Sequence, residues 1–136
     1  MTAILIMAAS VAGCSNSRED VRLTLCKDMV TVEVGKEPAW KGSEIQTRGY
    51  EGAVVTVRFA SLDGDGRADC HYQYDAVDDT AEMLANPLAA YATSPSKMIL
   101  NGRTLTGSSL ARTVGRAMQK QGREFIDRAR ETLKGQ

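Results

Sequence analysis

His71 is the single histidine of the chain, and it is the first residue to examine for acid–base chemistry near neutral pH. A general base needs a nucleophile or an orienting carboxylate within reach. Its neighbours Cys70, Tyr72 and Gln73 mark neither, so His71 reads as an exposed strand histidine on the face opposite Cys70. The run Asp63-Gly64-Asp65-Gly66-Arg67-Ala68-Asp69 is the second candidate. The carboxylates of Asp63, Asp65 and Asp69, with Gly to let the backbone turn, suit a hard cation with oxygen ligands. Counted from Asp63, however, the position of the bidentate Glu of a calcium loop is Tyr74. Asp and Gly also suit a hairpin turn for their own backbone reasons, and a plain turn is the expectation. Ser94, Ser96, Ser108 and Ser109 read as loop and cap residues. The sequence holds no nucleophile elbow, phosphate-cradling Gly loop, paired-His metal helix or dinucleotide fingerprint. No catalytic residue, metal or cofactor is therefore expected.

The N-terminal residues carry an address instead. An apolar run from Ala3 to Ala9 leads into Val11-Ala12-Gly13-Cys14, and a polar run from Ser15 to Asp20 follows. A short apolar stretch that ends in small residues has the build of a secretory signal peptide, and it is too short to span a bilayer. Ending on Cys, it resembles the lipobox of bacterial lipoproteins. The resemblance implies cleavage before Cys14, acylation of that thiol and of the new amine, and a membrane anchor through the lipid. Ser15, rather than Asp, after the Cys favours the periplasmic face of the outer membrane by the same resemblance.

Lipidation of Cys14 would account for one of the three cysteines, and parity then points to a pair. Cys26 and Cys70 would lie in an oxidising compartment, where disulfides persist. They have no close-spaced Cys partner, and His71 alone cannot complete a four-ligand zinc site with two sulfurs. A Cys26–Cys70 disulfide is expected.

The remaining elements define one domain. Residues 1–13 read as the signal peptide, 14–19 as a tether, and 20–136 as a single domain, a size that supports a modest core. Residues 21–34 allow two readings. Alternation of Val21, Leu23, Leu25 and of Val30, Val32, Val34 suits a hairpin around Lys27-Asp28. Ser17 or Asp20 as a cap, and Gly35 before Pro38 as a stop, suit a helix, the preferred reading. Glu44 to Arg48 reads as an edge strand, with a turn at Tyr50-Glu51-Gly52. Val54 to Phe59 is a strand with Val55, Val57 and Phe59 on one face. Ser61 to Gly66 turns the chain, and Arg67 to Asp75 is the next strand, with Cys70, Tyr72 and Tyr74 sharing a face. Trp40, after Pro38, is expected to cover one edge of the core. Asp79-Thr80-Ala81-Glu82 resembles a capping box that opens a short helix, stopped by Asn86-Pro87. Leu88 to Ser96 reads as a loop, and Asn101-Gly102 marks a tight hairpin. Ser108 or Ser109 would cap a long helix to about Lys134, with Leu110, Val114, Ala117, Met118, Phe125, Ala129 and Leu133 at helical spacing. The expected fold is α+β: a small antiparallel sheet of three or four strands packed against the long C-terminal helix, with a first helix if residues 21–34 take that form.

Charge and composition narrow the partners. Seventeen basic and seventeen acidic residues cancel, which removes the long-range attraction to nucleic acid. Aromatic residues are 5% of the chain, too few for stacking platforms. On the C-terminal helix, Arg112, Arg116, Lys120, Arg123, Arg130 and Lys134 fall within an arc of about 80°, with Asp127 the one acid inside it. This ridge is either a solvated face or a contact for anionic groups, lipid phosphates or an acidic envelope protein. The expected role is a small lipid-anchored envelope lipoprotein, acting as a non-catalytic binding or structural module. The alternatives are a periplasmic enzyme inhibitor, marked by a rigid exposed loop, and a hydrolase, which would need a polar constellation that is not legible.

Overall fold

The computed structural model describes residues 19–75 and 86–135. Asp20 opens the first element by accepting the Arg22 N–H at 2.9 Å. α1 (Val21–Val34) follows, and Gly35 closes it in the left-handed region at φ 94°. Residues 21–34 are therefore the helix and not the hairpin. Leu25, Cys26, Met29 and Val30 are buried along it.

Five strands follow: β1 (Ala39–Thr47), β2 (Ala53–Ser61), β3 (Gly64–Tyr72), β4 (Lys97–Leu100) and β5 (Arg103–Leu105). They form one antiparallel meander in sequence order, one strand more than the upper expectation. β1 starts at Ala39, well before Glu44, because it is exposed on both faces and carries no alternation to announce it. β3 starts at Gly64 because Ser61 pairs with Gly64, which leaves only Leu62-Asp63 in the turn. It ends at Tyr72, and Tyr74 instead bridges to Tyr91.

The sheet's core face is built in rows by the register. Val55, Cys70, Met98 and Leu105 stand across four strands in one row, and Val57, Ala68 and Leu100 form the next. All seven are buried. Gly66 faces Phe59 across the β2–β3 ladder, and a Cβ there would run into the Phe59 ring. Trp40 meets the other side of that ring edge-on, with centroids 6.2 Å apart. Asn101 and Gly102 both have positive φ, 50° and 83°, the geometry of a type I′ hairpin turn.

α1 lies on β2 and β3, and α2 (Gly107–Lys134) packs chiefly along α1. Neither Ser108 nor Ser109 is the cap of α2. Thr106 holds that position without a side-chain bond, and the Ser109 hydroxyl donates to the Thr106 carbonyl at 2.9 Å. The proposed capping box at Asp79–Glu82 lies outside the described residues, as do Val11–Cys14. Within the expected loop after it, Pro87–Ala90 is a 3-10 turn, with the Asn86 side chain accepting from Leu88 N–H at 3.1 Å.

Cys26 of α1 and Cys70 of β3 are joined, with Cα atoms 6.0 Å apart and a sequence separation of 44. A loop of that size is expected to contribute several kcal/mol. Replacing both cysteines with Ala should lower unfolding free energy by about 2–5 kcal/mol in urea titration, and alkylation of the unreduced protein should find neither thiol free.

Candidate binding surface

The residues that could do acid–base or metal chemistry are not assembled into a site. Asp65 pairs with Lys41 at 2.8 Å, while Asp69 accepts from the Thr56 hydroxyl at 2.6 Å and from Arg67 at 3.2 Å. Asp63, Asp65 and Asp69 thus do not converge on a cation, and among the described residues no three His, Cys, Asp or Glu side chains are grouped to hold a metal ion. The segment is the end of a hairpin. His71 pairs across the ladder with Lys97. Burial, then the positive charges of Lys97 and Arg48, lower its pKa below the ordinary value, against the opposing pull of Asp69. Its imidazole is thereby held in the neutral form.

Among the described residues, open clefts lie on two sides of α1. One, of about 400 Å³, lies where the end of α1 meets the β2–β3 turn, between Val34, Pro38, Ala60 and Leu62. Ser61 brings a hydroxyl to its lining, and its oxygen accepts the Asp63 N–H within the turn at 3.3 Å. The other, of about 350 Å³, opens between α1 and α2, with Val21, Asp28, Phe125 and Arg128 at its walls. Its hydroxyl, Thr24, donates to Glu19 at 2.9 Å. Among the described residues, neither cleft is lined by a His or Cys.

One polar cluster was not foreseen. Arg22 is 4% exposed. Its guanidinium pairs with Asp20 at 3.0 Å, and donates to the carbonyl of Ala92 at 3.0 Å and to that of Tyr91. The Tyr72 hydroxyl donates to the Arg22 carbonyl at 2.7 Å. Burial pushes that phenol well above its ordinary pKa, so it remains a donor. Every arm of the arginine is occupied by the protein itself, which makes the cluster a structural clamp. Its only sequence trace is the Asp20-Val21-Arg22 spacing at a helix start.

α2 carries the surface features. Leu110, Thr113 and Ala117 are buried, and they set the arc that meets α1 and the core. Lys120 belongs partly to that contact. Its ammonium reaches Asp28 of α1 at 2.8 Å and Glu124 at 2.5 Å, while Gln121 donates to the second Asp28 oxygen at 2.8 Å. Burial would lower the Lys120 pKa, but the bonds to Asp28 and Glu124 outweigh it and raise the value. Lys120 is thus tied down rather than displayed. Arg112, Arg116, Arg123, Arg130 and Lys134 are exposed, and no carboxylate pairs with them among the described residues.

The apolar side of α2 departs most from expectation. Met118, Phe125 and Leu133, assigned by spacing to the packed face, are 52%, 67% and 71% exposed, and Ile126 is 50% exposed. α1 has 14 residues and α2 has 28, so at 1.5 Å per residue the second helix outruns the first by about 20 Å. The last turns of α2 have no neighbour to bury them. No known protein family matches the chain, and neither a curated protein nor a solved structure shows detectable similarity to it.

Two outcomes check this account. Lys120→Met should cost about 1 kcal/mol, because it leaves a partly buried Asp28 with one donor fewer. Arg123→Met should change stability by less than about 0.5 kcal/mol. Urea unfolding of the two variants compares them directly. For His71, a lowered folded-state pKa means that the unfolded chain binds its proton more readily, so the contribution is intact above about 6.5 and lost as pH falls below it. NMR titration should place the His71 pKa below 6.5, and Lys97→Gln should move it part of the way back.

Proposed function

We propose that the protein is a lipid-anchored envelope lipoprotein whose domain acts as a non-catalytic binding module. The observation that carries the reading is the distribution of its cysteines. Cys26 and Cys70 are consumed by a buried disulfide, which suits an exported domain. The third, Cys14, ends a signal-like apolar run six residues before the cap of the first helix. A thiol in that context is the acylation point that the lipobox resemblance implies.

The binding role is supported by surface chemistry. Four exposed large apolar side chains, Met118, Phe125, Ile126 and Leu133, lie on α2 beside arginines that pair with no carboxylate among the described residues, and exposed apolar patches rimmed by polar residues mark contact sites. A second reading, an inhibitor of a periplasmic enzyme, is favoured by Leu62. That residue is 91% exposed at the tip of a two-residue hairpin turn, a rigid apolar projection suited to a cleft.

Detergent phase partitioning tests the anchor. Wild type produced in bacteria should enter the detergent phase and show the mass of added acyl chains on the fragment that begins at Cys14. Cys14→Ala should lack that mass and accumulate as uncleaved precursor. An unmodified Cys14 in wild type would refute the reading. To separate module from inhibitor, Leu62→Glu should leave crosslinked envelope partners unchanged in the first case and abolish them in the second.

A further inference from the structure

Viewed down the axis of α2, the residues divide into three arcs. Leu110, Thr113 and Ala117 define the packed one. Turned from it by about 120° is a wider arc holding Val114, Met118, Phe125, Ile126, Ala129 and Leu133. It contains no charged residue over the whole helix. Arg112, Arg123 and Arg130 border that arc on one side and Arg128 borders it on the other, while Asp127 lies on the far side and Glu124 and Glu131 lie at the angle of the packed arc, beyond the turns that α1 covers. The helix holds seven Lys or Arg against three Asp or Glu, a net of four positive charges on a neutral chain.

We propose that this arc of α2, from Met118 to Leu133, lies flat on an anionic membrane surface. Met118, Phe125, Ile126 and Leu133 enter the headgroup layer, and the bordering arginines reach lipid phosphates. A long helix of low mean hydropathy, with a segregated apolar face and basic flanks, is the build of an interfacial helix. Arginine stems lie along apolar surface while their heads stay at the polar boundary. Charge decides against the nearest competing occupant, a second copy of this chain: pairing two such arcs face to face would set Arg rims against Arg rims. Position agrees as well. The cleft holding Val21 and Phe125 shows that the start of α1 lies beside the distal half of α2, so the free turns of α2 extend at the end of the domain where the chain arrives from Cys14. Asp20 lies six positions after Cys14, a reach of about 20 Å when extended. This placement rests on the anchoring reading, whereas the chemistry of the arc does not.

The test uses the full chain with Phe125→Trp, and the unmodified protein supplies the background of Trp40. Vesicles are made of neutral phosphatidylcholine or of its mixture with anionic phosphatidylglycerol, each with brominated acyl chains. The added indole should shift to shorter wavelength and be quenched on the anionic vesicles, with salt weakening the effect. Ile126→Glu plus Leu133→Glu in that background should weaken it roughly tenfold or more. If the indole is unaffected while the protein stays vesicle-bound through Cys14, the docking is overturned and the anchor stands. If Cys14 carries no lipid but the indole is still quenched, the anchor fails and the docking stands. A blue shift without vesicles, accompanied by dimers in sedimentation, overturns the docking in favour of self-association.

Discussion

The bond between Cys26 and Cys70 joins the middle of α1 to the row of the sheet that runs through Val55, Met98 and Leu105. A five-stranded meander has two faces, and the bond selects the one that is covered. Once α1 is fixed there, its outer side is the chief support for α2, with Asp28 and Glu33 as polar anchors. Glu33 receives Arg103 at 3.0 Å and the Thr113 hydroxyl, so the β5 end of the sheet, α1 and the first turns of α2 meet on one carboxylate. The orientation of everything after Leu105 therefore depends on how α1 sits on the sheet.

The Arg22 clamp holds the opposite end of α1. A buried guanidinium is costly unless all its donors are used. Here Asp20 and the carbonyls of Tyr91 and Ala92 use them. The same residues tie the β3–β4 connection to the start of α1, where Tyr74 stacks edge-on with both Tyr50 and Tyr91.

Helix length then shapes the surface. α2 is twice as long as α1, and its apolar residues do not follow one line. Some face α1 and the remainder form a separate arc. Water is a poor neighbour for the second arc, and the basic rim narrows what can replace it. The consequence is a domain whose core is complete near Leu110 and Ala117 and whose exposed apolar side chains lie further along the same helix.

Local signals were legible wherever one residue pair or one period decides the conformation. Asn101-Gly102 specified its turn because only a few residues tolerate two positive φ values in succession. The buried side of β2 followed from period-two alternation, and α2 from its helical spacing. Residues 21–34 were ambiguous because α1 is covered both by the sheet and by α2, and so lacks a single apolar stripe. β1 was half-missed because both of its faces are wet. Lys120 and Arg123 share one basic arc on a helical wheel, yet one is bound to Asp28 and the other is not. Leu110 and Phe125 fit the same apolar period, yet one is buried and the other is exposed. The sequence by itself determined the α+β class, the cysteine pairing and the run of α2, since each depends on nearest neighbours, periodicity or parity. Only the tertiary structure decided which part of α2 is core and which is surface, because that depends on where α1 ends in space.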